Sequence, residues 1–394
     1  MQPVPSTEPP RSSPARTPFQ AVRADVAVAV VFGGAAVAWV TIDTLPGGRW
    51  MPVHLFTLGV LTPLIVAFSQ HQVVTLFKAA PLRMAPVRAL LWSGAALVVV
   101  GMAQPGAGWA RVAIAVGATA TAAGVARAAW ALRRVRRSRP EDVRFGWMLR
   151  GYERAHLAFL LGAGLGAALG GGLVPGGWYV AFRHAHLHAL VIGFAAVTLL
   201  ATVVLFGPML LRAQIAPDGE AAAARWLPRI VLGAGVAVLG LLGQALPAPA
   251  AVASRWLAAA GLLVVAAGAV TILRPLAAIV RRKGDDAPLT GVLLTCAIGW
   301  LTLALVADAV VVATGSWRLL DPVGVVALLG AFAQAITATL LHVATMWLPR
   351  QRRLRLYPRL DAVPLWVAAL PPLLLAGLAL RLLSGAAHAR GGAS

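Results

Sequence analysis

Apolar runs long enough to cross a lipid bilayer recur along almost the whole chain, and few folds are compatible with that pattern. After a first run beginning at residue 24, others fall at roughly 52–77, 86–104, 110–132, 155–174, 183–211, 228–247, 255–275, 288–314, 321–348 and 362–384. A helical span needs ~20 residues, and each run is close to that length. Inside a bilayer every backbone polar group must be paired within the segment, which leaves the helix as the form for runs of this kind. The expected fold is therefore an all-α, polytopic transmembrane bundle of about eleven helices (11–12). Only 12% of the residues are charged, against about 25% in a typical soluble domain.

The net charge of +21 would suit a nucleic-acid binder if the charge formed one face. Instead the arginines stand in short clusters between the apolar runs, as topology signals do, so no nucleic-acid partner is expected. The clusters "KAAPLRMAPVR", "RRVRRSRPEDVR", "RPLAAIVRRKGDD" and "RQRRLRLYPR" lie on alternate loops with the N-terminal tail and the 212–229 connection. Those loops are expected to be cytoplasmic, with the N-terminus on the same side. The opposite loops are short, nearly neutral and marked by Trp50, Trp109, Trp178 and Trp317, as in an interfacial belt.

The division expected is a disordered cytoplasmic tail over 1–23, rich in Pro, Ser and Arg, a single transmembrane domain over 24–384, and a flexible tail over 385–394. The first apolar run has no clear small-residue cleavage site and reads as a retained helix. One cysteine, Cys296, excludes a disulfide within the chain, a C-x-x-C-H haem attachment and a Cys-rich zinc site. The localisation expected is the plasma membrane of a bacterium, multi-pass.

Eight histidines are present, and three of them open one span as "RHAHLH". An α-helix turns ~100° per residue, so His184 and His186 point to nearly opposite faces, while His188 lies one turn from His184 on almost the same face. Such a helix can offer an imidazole to a cofactor on each side, or hold one metal between rings at i and i+4. The string admits both. Neutral imidazole suits haem iron and also copper.

His54 opens the second span at the same expected depth, and His71 closes it. Their 17-residue interval is about 25 Å of helix, too far to share a metal. They can serve two centres near opposite faces, or one can be a ligand and the other an interfacial residue, and Pro63 between them frees a backbone carbonyl and is expected to kink the helix. His342 stands near the inner end of the tenth span, with Met346 one turn on. Ionisable groups inside spans are costly and tend to face functional cavities. His54, His184, His186 and His188 are thus the candidate metal or haem ligands, with His71 and His342 as further cofactor-binding candidates. His156 and His388 read as interfacial residues. Asp308 reads either as a relay carboxylate, or the partner of a cationic group, or as a hydrogen-bonding link between helices. Gln70, Gln72 and Gln334 are the other polar groups noted inside spans. Gly162, Gly166 and Gly170, spaced four apart, form a small-residue ridge that suits close packing of a helix or of a flat cofactor.

Three segments carry a family resemblance over less than a quarter of the chain. "HAHLHALVIGFAAVTLLATVVLFGPMLL" resembles the His-x-His helix in subunit I of haem–copper oxidases and nitric oxide reductases, and its "HAH…GF" pattern is similar to the NnrS family. "HLFTLGVLTPLIVAFSQH" and "GAFAQAITATLLHVATMWLP" resemble helices of actinobacterial membrane regions described as copper oxidases or nitrite-reductase-like proteins. The resemblance implies that His54 is a low-spin haem ligand, that one of His184 and His186 is its partner across the haem, and that the other faces a second centre. The chain has no "HPEVY"-like segment, no "HH", no cupredoxin domain and no Cys/His/Met copper loop. Oxygen reduction at a haem–copper pair is therefore not what the resemblance implies here.

The first reading is an integral-membrane haem protein for electron transfer or nitrogen-oxide and oxygen-related redox chemistry, an oxidoreductase only if it acts as an enzyme. It would carry one or two b-type haems, with copper as a further candidate. Expected partners are the lipid bilayer and either quinone or a redox partner protein, with oligomers open. A second reading is a histidine-lined transporter or copper-handling protein without haem, for which an internal repeat is expected. No repeat is evident in the sequence. A third is a scaffold whose histidines are merely interfacial.

Overall fold

In the computed structural model, residues 18–41, 50–140, 143–215 and 217–347 are described, and all regular structure among them is helical. Ten long helices follow one another. They are α1 (Pro18–Thr41), α2 (Trp50–Phe77), α3 (Met84–Ala103), α4 (Ala110–Arg137), α5 (Gly146–Gly170), α6 (Gly176–Leu210), α7 (Pro217–Leu242), α8 (Ala250–Lys283), α9 (Leu289–Thr314) and α10 (317–347). Nine of these are long and apolar enough to cross a membrane; α5 falls short because Glu153, Arg154 and His156 occupy its early turns. This is the make-up of a multi-pass membrane bundle. The run expected at 362–384 and the tail at 385–394 lie outside the described residues, as do His388 and the Met346 side chain.

Several helices run further than apolar content alone suggested. α5 begins at Gly146 rather than 155 because its polar start is paired with α4. Glu153, 8% exposed, receives Arg136 Nε at 2.5 Å and has Arg133 at 3.8 Å. α7 starts at Pro217 rather than 228, with Asp218 and Glu220 in its first turn, where acidic groups favour a helix N-terminus. α8 continues through Pro275 to Lys283 instead of ending at 275. α1 begins at Pro18, inside the stretch expected as tail. It is tied to α3 by a two-pronged ion pair between the buried Asp25 and Arg88, with Nη2–Oδ2 at 2.6 Å.

A repeat that the sequence hides is visible in the backbone. α2, α6 and α10 each pass from α into π geometry and back, at Leu55–Leu61, Ala189–Ala196 and Val326–Ala333. In the first, the wide turn ends just before Pro63. An α-helical turn there would press the proline ring on the Gly59 carbonyl, and Thr62 instead bonds back to the Thr57 carbonyl. Between these helices lie two hairpins that cross glycine on glycine. A Cβ on Gly94 would stand 2.6 Å from the Gly117 carbonyl oxygen in α3–α4, and one on Gly233 2.7 Å from that of Gly261 in α7–α8. The period is four helices.

α6 is the central element: 72% of its most apolar stretch is buried, against 11% for α1. The outer faces of α1, α4, α7 and α8 present valine, leucine and tryptophan outward, as lipid contact requires.

Candidate functional site

His54 stands at the head of the π segment of α2, and its Nδ1 lies 2.8 Å from the Trp50 carbonyl one turn back. His186, on α6, places its Nδ1 2.7 Å from the Gly162 carbonyl on α5. A carbonyl only accepts, so each Nδ1 carries the proton and each Nε2 keeps a bare lone pair. The two rings are 6.4 Å apart between centroids and only 14° from parallel. They belong to corresponding helices of successive four-helix units.

The glycine ridge of α5 makes this placement of His186 possible. A Cβ on Gly166 would lie 2.5 Å from His186 Cε1, while Gly162 meets Leu190 and Gly170 meets Ile114 on α4. The ridge is helix packing, and one of the things it packs against is the histidine ring. The bare backbone at Gly166 also leaves the Gly162 carbonyl open to Nδ1.

Both rings border a largely apolar cavity of about 300 Å³. Its wall runs from Met102 and Ile114, past Phe159 and Gly166, to Leu305 and Val323. Arg183 also lines it, with its guanidinium 5.5 Å from the Trp50 ring centroid.

The other histidines have different surroundings. His188 is fully buried, with Nδ1 2.8 Å from the His184 carbonyl and Nε2 2.8 Å from Asp308 Oδ2 on α9. Both ring nitrogens face oxygens, so this pair holds a proton between imidazole and carboxyl, and neither nitrogen is bare. Asp308 is thus the helix-linking partner of a histidine, and its Oδ1 is buried without a partner. His184 lies on Trp317, with centroids 4.3 Å apart and planes at 28°. His156, expected at the interface, is instead completely buried. Its Nδ1 meets the Tyr152 carbonyl at 2.7 Å, its ring sits edge-on to Phe194, and its Nε2 has no partner. On the same stretch, the Tyr152 and Thr202 hydroxyls join α5 to α6 at 2.8 Å.

His71 and His342 are half-buried near the arginine-rich end, and His342 meets the edge of Phe206. No hydrogen bond or ring contact joins His71 to His342. Among the described residues no group of three or more His, Cys, Asp or Glu stands at metal-binding distance. Gln70 donates to the Ala128 carbonyl at 3.1 Å, whereas both amide atoms of Gln334 are buried without partners.

The chain matches no family model, no curated protein and no solved structure. Its site is therefore read from its own residues.

Sequence reasoning singled out His54 and His186, among six histidines, by residue type and spacing. It did not find that Gly166 and the Gly162 carbonyl orient His186, although the ridge was visible. Nor did it find Arg183 beside Trp50, since a single arginine at a helix start resembles any loop charge.

Proposed function

We propose that this chain is an integral-membrane b-type haem protein for electron transfer, in which His54 and His186 would hold the haem. The observation that carries the reading is the pair of nearly parallel rings, 6.4 Å apart, whose Nδ1 atoms are both engaged by carbonyls. A metal–imidazole bond is about 2.0–2.1 Å, and ring nitrogen to centroid adds about 1.1 Å, so two imidazoles facing each other across one metal would have centroids about 6.3 Å apart. Backbone partners on the far nitrogens fix the tautomer and the ring plane, as is usual for metal-bound histidine. The cavity that both rings border is walled mostly by apolar groups, which suits a flat macrocycle. Arg183 at its border supplies a cation for a carboxylate substituent. Bound there, haem would supply one-electron chemistry; the chain holds, orients and dries it. Quinone or a redox protein remains the proposed electron partner, the cytoplasmic N-terminus and bacterial plasma membrane the proposed setting.

A copper-handling or transport protein without haem is the second reading. The same spacing accommodates a single ion between two imidazoles, and a repeat built of four-helix units is the sort of internal duplication found in transporters.

One experiment separates them. The detergent-purified protein from haem-replete cells is examined oxidised and dithionite-reduced, with iron and copper counted. Sharp reduced α-bands, lost in His54→Ala and in His186→Ala but kept in His184→Ala, are the expected result. A colourless, iron-free protein overturns the haem reading, and bound copper lost in the same two variants would favour the second.

A further inference from the structure

At the tryptophan-marked end of the bundle, α6, α7, α8 and the start of α10 enclose a second cavity, of about 360 Å³. Its lining includes Gln244, Arg255 and Trp317, and it shares no lining residue with the His54–His186 cavity. Its unpartnered polar atoms are donors. Arg255 Nε and Gln244 Nε2 are buried with no hydrogen-bond partner. His184, 1% exposed, lies on Trp317 with the Gln244 side chain beside it. Arg183 Nη2 approaches His184 Nε2 at 3.5 Å, and a guanidinium only donates, so His184 Nε2 is the acceptor and Nδ1 carries the proton.

Two buried donors left open at one cavity are unusual, because buried polar groups are normally satisfied. The charge agrees. Among the described residues no carboxylate pairs with Arg255 or Arg183. Arg255 is held in place by a missing side chain: a Cβ on Gly315 would stand 2.3 Å from its Nη1. A neutral ligand or a water brings donors of its own, whereas a small anion brings only acceptors. We propose that this cavity binds a small oxyanion or carboxylate, held by Arg255 and Gln244 beside the Trp317 ring. The proposal is independent of the haem reading.

The test is isothermal titration of the full-length purified protein with sodium nitrite, nitrate and formate at constant ionic strength. Preparations of measured haem content are used, so that anion binding and haem occupancy are scored separately. Saturable binding of at least one anion, weakened tenfold or more in Arg255→Gln and in Gln244→Leu but unchanged in the exposed Arg318→Gln, is the expected outcome. Absence of saturable heat with all three anions overturns the proposal. So does equal binding by wild type and the cavity variants. Thermal unfolding of each variant confirms that it is folded, and Gln244→Leu decides the matter should Arg255→Gln fail to assemble.

Discussion

Gly166 lies directly against the ring of His186: a single added carbon would come within 2.5 Å of Cε1. Gly164, two residues away, has nothing within 4 Å of the same position. The two glycines therefore respond oppositely to alanine. Gly166→Ala forces the ring or the helix aside and should cost about 1–3 kcal/mol as overpacking. It should also lower bound haem if His186 is a ligand. Gly164→Ala should be neutral or stabilising by up to about 1 kcal/mol, from helix propensity alone. Thermal unfolding in detergent, read beside the absorbance spectrum, checks both.

His188 and Asp308 are buried against each other, so removing either leaves the other's polar atoms stranded. His188→Leu and Asp308→Leu should each cost about 3–5 kcal/mol, and the double variant should recover much of that loss. A double-mutant cycle on unfolding free energies measures the coupling. Additive losses would mean that the pair is not formed.

At the arginine-rich end, distance sorts two arginines that share Glu153. Arg136, at 2.5 Å, should matter more than Arg133, at 3.8 Å and half-exposed. Arg133→Ala is expected to change stability by less than about 1 kcal/mol. Arg136→Ala should cost clearly more, because Glu153 is almost fully buried.

Orientation can be tested by labelling intact cells. In a Cys296→Ala background, a membrane-impermeant maleimide should label Gly106→Cys, in the α3–α4 loop, and spare Ser138→Cys, at the end of α4. Both positions are exposed. The reverse pattern would place the N-terminus outside and overturn the orientation drawn from the basic loops.

The bundle was legible because each helix must carry its own apolar run, a one-dimensional property. Where helices overran those runs, as at Gly146 and Pro217, the reason lay in pairing or polarity at their ends, which hydropathy does not record. The site was only partly legible. "HAHLH" announces histidines at a helix head, but three spacings were open. Contacts from other helices distinguish them: Gly162 for His186, Asp308 for His188, Trp317 for His184. His156 looked interfacial because it stands at the start of the apolar run counted from 155, yet its side chain turns inward toward Phe194. The four-helix period was invisible in sequence because it resides in backbone winding and in glycine crossings, not in matching strings.

The π segments bear on how this chain tolerates change in length. In an α-helix, loss of one residue rotates every later side chain by ~100° and would scramble a buried face. A π turn already contains more residues than an α turn. Loss of one residue within Ala189–Ala196, which no proline follows closely as Pro63 follows the wide turn of α2, can therefore be absorbed by tightening back to α-helix, leaving both flanks in phase. This stretch acts as slack in the winding, and it lies immediately after His188. Single-residue deletions accepted by a screen of α6 should accordingly cluster there, while the same deletions a turn away in either direction should be lost.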